Sequence, residues 1–144
     1  MVPFLADAYP TTRKWQGRCA LVFYAIPYAR VTDEAFRLGL TACNDGASHV
    51  RYRACMLLAY SLRREAIPRL ENLLRHKDPA TVEHAAAALD AITHHDHHLF
   101  VDRDHSGRVH WEIAGDPTTV VSSPAPELLE EPRRSWWKVW RRGG

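Results

Sequence analysis

The chain has 144 residues, 46% apolar and 25% charged, which is enough for one domain with a single core and a short tail. A formal net charge of +2 excludes a nucleic-acid binder that works by bulk charge. Five basic and no acidic side chains fall within residues 133–142 (RRSWWKVWRR), so the remainder carries −3: a mildly acidic body with a basic tail.

In chain order, residues 1–10 carry no clear pattern and are expected to be irregular. Thr11 or Thr12 is placed to cap a first helix, in which Trp15, Cys19, Val22, Phe23 and Ile26 recur at helical spacing. Pro27 ends or kinks that helix. Arg13, Lys14 and Arg18 ahead of CALVFYAIPYA superficially suggest a signal peptide. The run starts late, contains Pro27 and two tyrosines, and lacks a small-x-small cleavage site. No apolar run is long enough to span a membrane. The three cysteines, Cys19, Cys43 and Cys55, are odd in number and lie in apolar helical segments. They argue against a disulfide framework and for a reduced, cytoplasmic setting.

From Asp33 to Thr93 one helical hairpin is written twice. Thr32 is a good N-cap, followed by Asp33 and Glu34, and Phe36, Leu40 and Cys43 form a stripe. Asn44, Asp45 and Gly46 break that helix, and Ser48 is expected to cap the next, with Val50, Ala54, Leu57 and Leu58 inward. In the second copy Pro68 sits in a first turn, where its missing N–H costs little, and Ile67, Leu70, Leu73 and Leu74 face inward. Asp78 then caps a helix opening on Pro79, whose core face is read as Val82, Ala86, Leu89 and Ile92. At an offset of 32, Val50 aligns with Val82, Ala54 with Ala86, Leu57 with Leu89 and Ala59 with Ala91. Repeated helix pairs of this kind stack into solenoids.

Beyond Thr93 the period changes. Leu99 and Val101 alternate, as do Val109, Trp111 and Ile113, so a β-hairpin turning at Gly107 is expected to cap the far end. Residues 114–131 read as a linker with Pro117, Pro124 and Pro126, and residues 132–144 as a basic, tryptophan-rich tail. Residues 1–113 are then the folded domain.

The paired pattern resembles a HEAT repeat over residues 33–93: an aspartate in the intra-pair turn, Val50-Arg51 opening the second helix, and small residues followed by leucine. The combination of VRYRACMLLAYSL with a later FVDRDHSG and tryptophan also resembles small single-domain bacterial HEAT-repeat proteins. The resemblance implies an all-α HEAT-like solenoid of about five helices with a C-terminal β-hairpin cap. It implies a non-enzymatic protein-binding module without a cofactor. Compact proteins of this kind include immunity partners that bind and neutralise a toxin, which is an analogy and not a motif match. Only two full pairs are visible where about three units are normally needed, so the first helix and the hairpin are expected to complete the stack.

Of Arg51 and Arg53, one is expected to pair with Asp45 or Asp78 in an internal ladder. The other, with Tyr52 and His84, is expected to face a partner, because Tyr and Arg anchor interfaces. Trp136, Trp137 and Trp140 in the tail are further candidates for partner contact, for folding back onto the solenoid, or for a membrane surface. The run His94 to His98 offers pairs at metal-ligand spacing, chiefly His94, His95 and His98, although imidazoles also suit a helix C-terminus. Asp102 and Asp104 open a calcium-loop pattern that fails at its twelfth position, Ile113, so turn chemistry is the expected reading. No metal is favoured. Metal binding through these residues and peripheral membrane attachment through the tail stand as alternatives to protein binding. No nucleophile–base constellation or phosphate loop is present, so no catalytic residue is expected.

Overall fold

The structure, a computed structural model, describes residues 1–107. Among these are six α-helices and no strand: α1 (Val2–Ala8), α2 (Trp15–Ala25), α3 (Asp33–Ala42), α4 (Ser48–Ser61), α5 (Ile67–Leu73) and α6 (Pro79–Thr93). Helices α2, α4 and α6 form a row with α4 in the middle, while α3 packs on α4 and α5 on α6. No helix of the described residues is long and apolar enough to cross a membrane.

The segment expected to be irregular is helical. Pro3 lies in the first turn of α1, where its missing N–H costs nothing, and Val2, Leu5 and Tyr9 bury one side. Helix α1 packs on both α2 and α3. It therefore supplies a third helix pair, α1–α2, ahead of the two legible in the sequence. That answers how so short a repeat array is completed at its N-terminal side. The expected cap of α2 is also displaced. Lys14 is the N-cap, and the Thr11 and Thr12 hydroxyls instead donate back to the Ala8 carbonyl.

Helix α3 begins as expected, with the Thr32 hydroxyl accepting from the Ala35 N–H. Its Gly39 lets α4 come close: a Cβ there would meet Leu57 Cδ2 at 2.6 Å and Leu58 Cδ2 at 3.1 Å. Helix α4 is capped by Ala47 rather than Ser48, and it is buried on nearly every side because α2, α3 and α6 surround it. Its core extends well beyond the expected stripe, to Cys55, Met56, Ala59, Tyr60 and Ser61.

The repeat register differs from the sequence alignment by one residue. Helices α4 and α6 start 31 residues apart, at Ser48 and Pro79. The buried residues follow that offset: Val50 with Thr81, Ala54 with Ala85, Leu57 with Ala88 and Ser61 with Ile92. Ala86, read from sequence as core, is exposed, and Val82 and Leu89 are half-buried. An alanine run gives periodicity little to lock onto, so side-chain type alone misplaced the face by one step. Leu74, also expected inward, is 39% exposed as the C-cap of α5.

After α6 the chain turns through His95, whose φ of 52° is left-handed, into a 3-10 turn at His97–Phe100. Leu99 and Val101, expected on the first strand of a hairpin, lie in and just after this turn. The Asp96 carboxylate accepts from the His98 N–H and so starts the turn as an N-cap does. Leu99 and Phe100 are buried, and the turn packs on α6 and α4. The remainder of the expected hairpin (Val109, Trp111, Ile113), the linker and the tail lie outside the described residues.

Candidate functional site

The two arginines of α4 separate into two roles. Arg51, 6% exposed, is drawn into the framework. Its Nε donates to the Thr81 hydroxyl at 2.9 Å, its Nη1 to the Asp45 carbonyl at 2.8 Å and its Nη2 to the Asp78 carboxylate at 3.1 Å. One helix earlier Arg18 makes the equivalent contact. Its Nε and Nη2 reach both oxygens of Asp45, at 2.6 and 3.0 Å, in a bidentate pair. The Tyr9 hydroxyl and the Ala47 N–H also donate to Asp45. Burial alone would push the Asp45 carboxyl up, but the hydrogen bonds from Arg18, Tyr9 and Ala47 outweigh it and hold it below its ordinary value. Arg51 therefore belongs to an internal Asp–Arg ladder and is placed away from any partner-facing position.

Arg53 turns to the opposite side of α4. Its guanidinium lies 4.7 Å from the Tyr52 ring centroid and 5.6 Å from that of Phe23 in α2. Burial pushes its pKa down to about 10, against the nearby Tyr52 and Cys19. The Tyr52 ring in turn stacks at 4.6 Å on His84 of α6 and at 5.8 Å on Phe100. His84 Nδ1 lies 2.9 Å from Arg103 Nη2. A guanidinium can only donate, so Nδ1 accepts and the imidazole proton sits on Nε2. Burial and the Arg103 charge bring the His84 pKa down to about 4, so the ring is neutral at pH 7.

Sequence reasoning placed Tyr52, Arg53 and His84 together, and the structure brings them together. It also adds members. Phe23 and Phe100 supply rings beneath the arginines, and Arg103 closes the cluster from the C-terminal turn, donating to the Phe100 carbonyl at 3.1 Å. Trp15 and His49 extend the strip across the starts of α2 and α4, with ring centroids 4.8 Å apart, and Trp15 is 39% exposed. Between these ends lies the half-buried Cys19, whose thiol burial pushes up. Trp15 carried a signal that was misread: its helical spacing with Val22 and Ile26 suggested a buried face, while its place in the first turn of α2 leaves it at the surface. Phe100 was expected on a strand and Arg103 in the charged turn after it, so neither was placed with Tyr52 and His84.

The histidine run forms no common focus of His94, His95 and His98. His94 Nδ1 lies 2.9 Å from an Asp90 carboxylate oxygen, His95 is exposed, and His98 Nδ1 lies 2.9 Å from Asp96. The ligand-type atoms that do converge, within 4.8 Å, belong to Asp96, His97 and His98. His97 is buried at 2% exposure, with Nδ1 taking the Arg30 guanidinium at 2.8 Å. A fixed positive charge beside the group opposes a second cation, so these residues fit a divalent metal poorly. Asp102 is likewise committed. One of its oxygens accepts from Ser106 N–H and Oγ at 2.9 and 2.7 Å, and the other from Gly107 N–H at 2.6 Å. These bonds, led by the Ser106 hydroxyl, hold its carboxyl below the ordinary value. This is the turn chemistry expected from sequence, and Asp104 is simply exposed. Trp136, Trp137 and Trp140 lie outside the described residues.

No curated protein and no solved structure matches the chain. A family model described as HEAT repeats matches residues 39–98, which run from late α3 through α4, α5 and α6 into the C-terminal 3-10 turn. HEAT repeats generally mediate protein–protein contact and are typically scaffolds rather than enzymes. Over that stretch the stacked helix pairs are similar to HEAT repeats.

Proposed function

We propose that this chain is a non-enzymatic protein-binding module, and that it binds through the aromatic–arginine strip across α2, α4 and α6. The single observation that carries this reading is the cluster of Tyr52, Arg53, His84 and Arg103. It packs two guanidiniums against the Tyr52 and His84 rings, with the four residues drawn from α4, α6 and the C-terminal turn. Tyr, Trp and Arg in a partly desolvated setting are the residue types that dominate interface energetics. Their order in the free protein lowers the entropy cost of binding. The free Cys19, Cys43 and Cys55 support a reducing compartment.

The narrower reading is an immunity-type protein that neutralises a toxin. Its support is the small size and the net charge of −3 outside residues 133–142. At the surface of the strip stands Arg103, with Arg53 buried at 8% exposure beneath it, so the surface recognised there is acidic or aromatic rather than basic.

The test is co-purification of full-length chain from its native host with single substitutions. Trp15→Ala and Tyr52→Ala are expected to lower recovery of a stoichiometric protein partner at least tenfold. Arg37→Glu, on the exposed side of α3, is expected to leave recovery unchanged. Equal loss for all three, or no partner with any, overturns the reading.

A further inference from the structure

Among the described residues, no helix packs on one side of α6. A shallow groove of about 330 Å³ runs there, lined by Glu83, Ala86, Ala87, Asp90 and Arg103. The floor is small and apolar, two carboxylates stand along it, and Arg103 forms one wall. The last described residues end beside it. His105 Nε2 lies 2.6 Å from Asp90, and Gly107 is tied to Asp102. The remaining 37 residues, 108–144, thus begin at this groove.

We propose that residues 133–142 bind this groove within the same chain, with a tryptophan seated over Ala86 and Ala87 and basic side chains on Glu83 and Asp90. Three features favour this occupant. The first is charge: the segment carries five basic and no acidic side chains, and the groove holds the exposed Glu83 beside Asp90, whose oxygens His94 and His105 already approach at 2.9 and 2.6 Å. Next is shape and chemistry, because alanines leave space for an indole, and Arg103 offers it a cation at the rim. Last is reach. The 25 residues from 108 to 132 span up to about 85 Å, whereas α6 is only about 22 Å long. Tethering of this kind gives an effective concentration of about millimolar, enough to favour a weak contact in cis. The groove shares Arg103 with the Tyr52–His84 cluster, so the bound tail covers one end of the proposed binding strip. A partner engaging that end must displace it.

Zero-length carbodiimide cross-linking of the full chain tests this. Lys138 is the one lysine within residues 133–142, so its links report the position of the segment. An equal mixture of ¹⁵N-labelled and unlabelled chains separates contacts within a chain from those between copies. The expected result is a Lys138 link to Glu83 or Asp90 carrying one isotope only. Glu83→Gln with Asp90→Asn should abolish that link and raise acrylamide quenching of tryptophan fluorescence about twofold. Links of mixed isotope would make a second copy the occupant and overturn the proposal. So would Lys138 links confined to Glu127, Glu130 and Glu131, or flotation of the chain with phosphatidylserine vesicles in the absence of any α6 link. Failure here leaves the strip reading standing, because that is read at Trp15 and Tyr52.

Discussion

Arg51 in α4 meets Asp78 at the start of α6, and Arg18 in α2 meets Asp45 at the start of α4, with a separation of 27 residues in both pairs. Arg51 also donates to the backbone of Asp45, so the two contacts form one continuous ladder joining three helix pairs. An inter-repeat bond of this kind sets the stacking of neighbours, on which solenoid stability depends.

Cutting the ladder at its buried member should therefore cost cooperativity between pairs. Arg51→Met keeps the aliphatic stem but removes the donor that Thr81, the Asp45 carbonyl and Asp78 share. The expected loss is about 1.5–3 kcal/mol, the range for hydrogen bonds to a charged group. It is read as a lower urea midpoint. A midpoint within error of the parent would show that the ladder contributes nothing net.

Acid should weaken the same framework. The folded pKa of Asp45 lies below its ordinary value. Its stabilising contribution is thus fully present above the unfolded value of ~3.9 and is lost as pH falls through the folded one. Asp78, Asp96 and Asp102 are shifted the same way. Asp45→Asn should flatten, without abolishing, the fall in urea midpoint between about pH 5 and pH 2. An unchanged slope would remove Asp45 from the account.

His84 supplies a pH dependence at milder values. Its folded pKa is brought down to about 4, so below the unfolded value of ~6.5 the unfolded chain takes the proton first. Stability then declines as pH falls from ~6.5 to about 4 and levels below. Histidine ring resonances in NMR should show His84 still neutral at pH 5, and His105, paired with Asp90, titrating above its ordinary value. A His84 midpoint near 6.5 would mean that the ring is not held between Tyr52 and Arg103.

Close approach of α3 to α4 depends on Gly39. Gly39→Ala drives a methyl to 2.6 Å from Leu57 Cδ2 and 3.1 Å from Leu58 Cδ2, and both leucines are fully buried. The overpacking cost is about 1–3 kcal/mol, larger than the gain in helix propensity. Gly46→Ala meets nothing within 4 Å and should stay within about 0.5 kcal/mol of the parent. The pair of urea midpoints decides between packing at Gly39 and a general intolerance of side chains at glycine.

Much of the framework was legible in the sequence, because its signals were local. Thr32 and Asp78 mark true N-caps, and their side chains accept from Ala35 and Ala80. The separation of Arg51 from Arg53 follows from their spacing of two, which on a helix points side chains to different sides. What escaped were features set by tertiary packing. Helix α1 is seven residues long and is held by contacts with α2 and α3 that no local pattern announces. The face of α6 was misplaced by one residue because four consecutive alanines, Ala85 to Ala88, carry no periodicity of their own. The strand expected at Leu99 and Val101 is a 3-10 turn because Asp96 caps it and Phe100 fills the core, a choice that alternation of apolar residues cannot reveal. Phe100 was missed as a site member for that reason, and Arg103 because the turn that carries it was expected at a hairpin and not against α6.

The most direct measurement is site-specific photo-cross-linking in the native host, with benzoylphenylalanine placed singly at Trp15, His49, Arg37 or Glu71. All four positions are exposed, and the first two are the ring pair at the end of the strip, whereas Arg37 and Glu71 lie on α3 and α5. Binding through the strip predicts one adduct of common mass, with the same partner protein identified, from Trp15 and His49 and none from Arg37 or Glu71. Adducts of equal yield from all four positions, or from α3 and α5 alone, would contradict it.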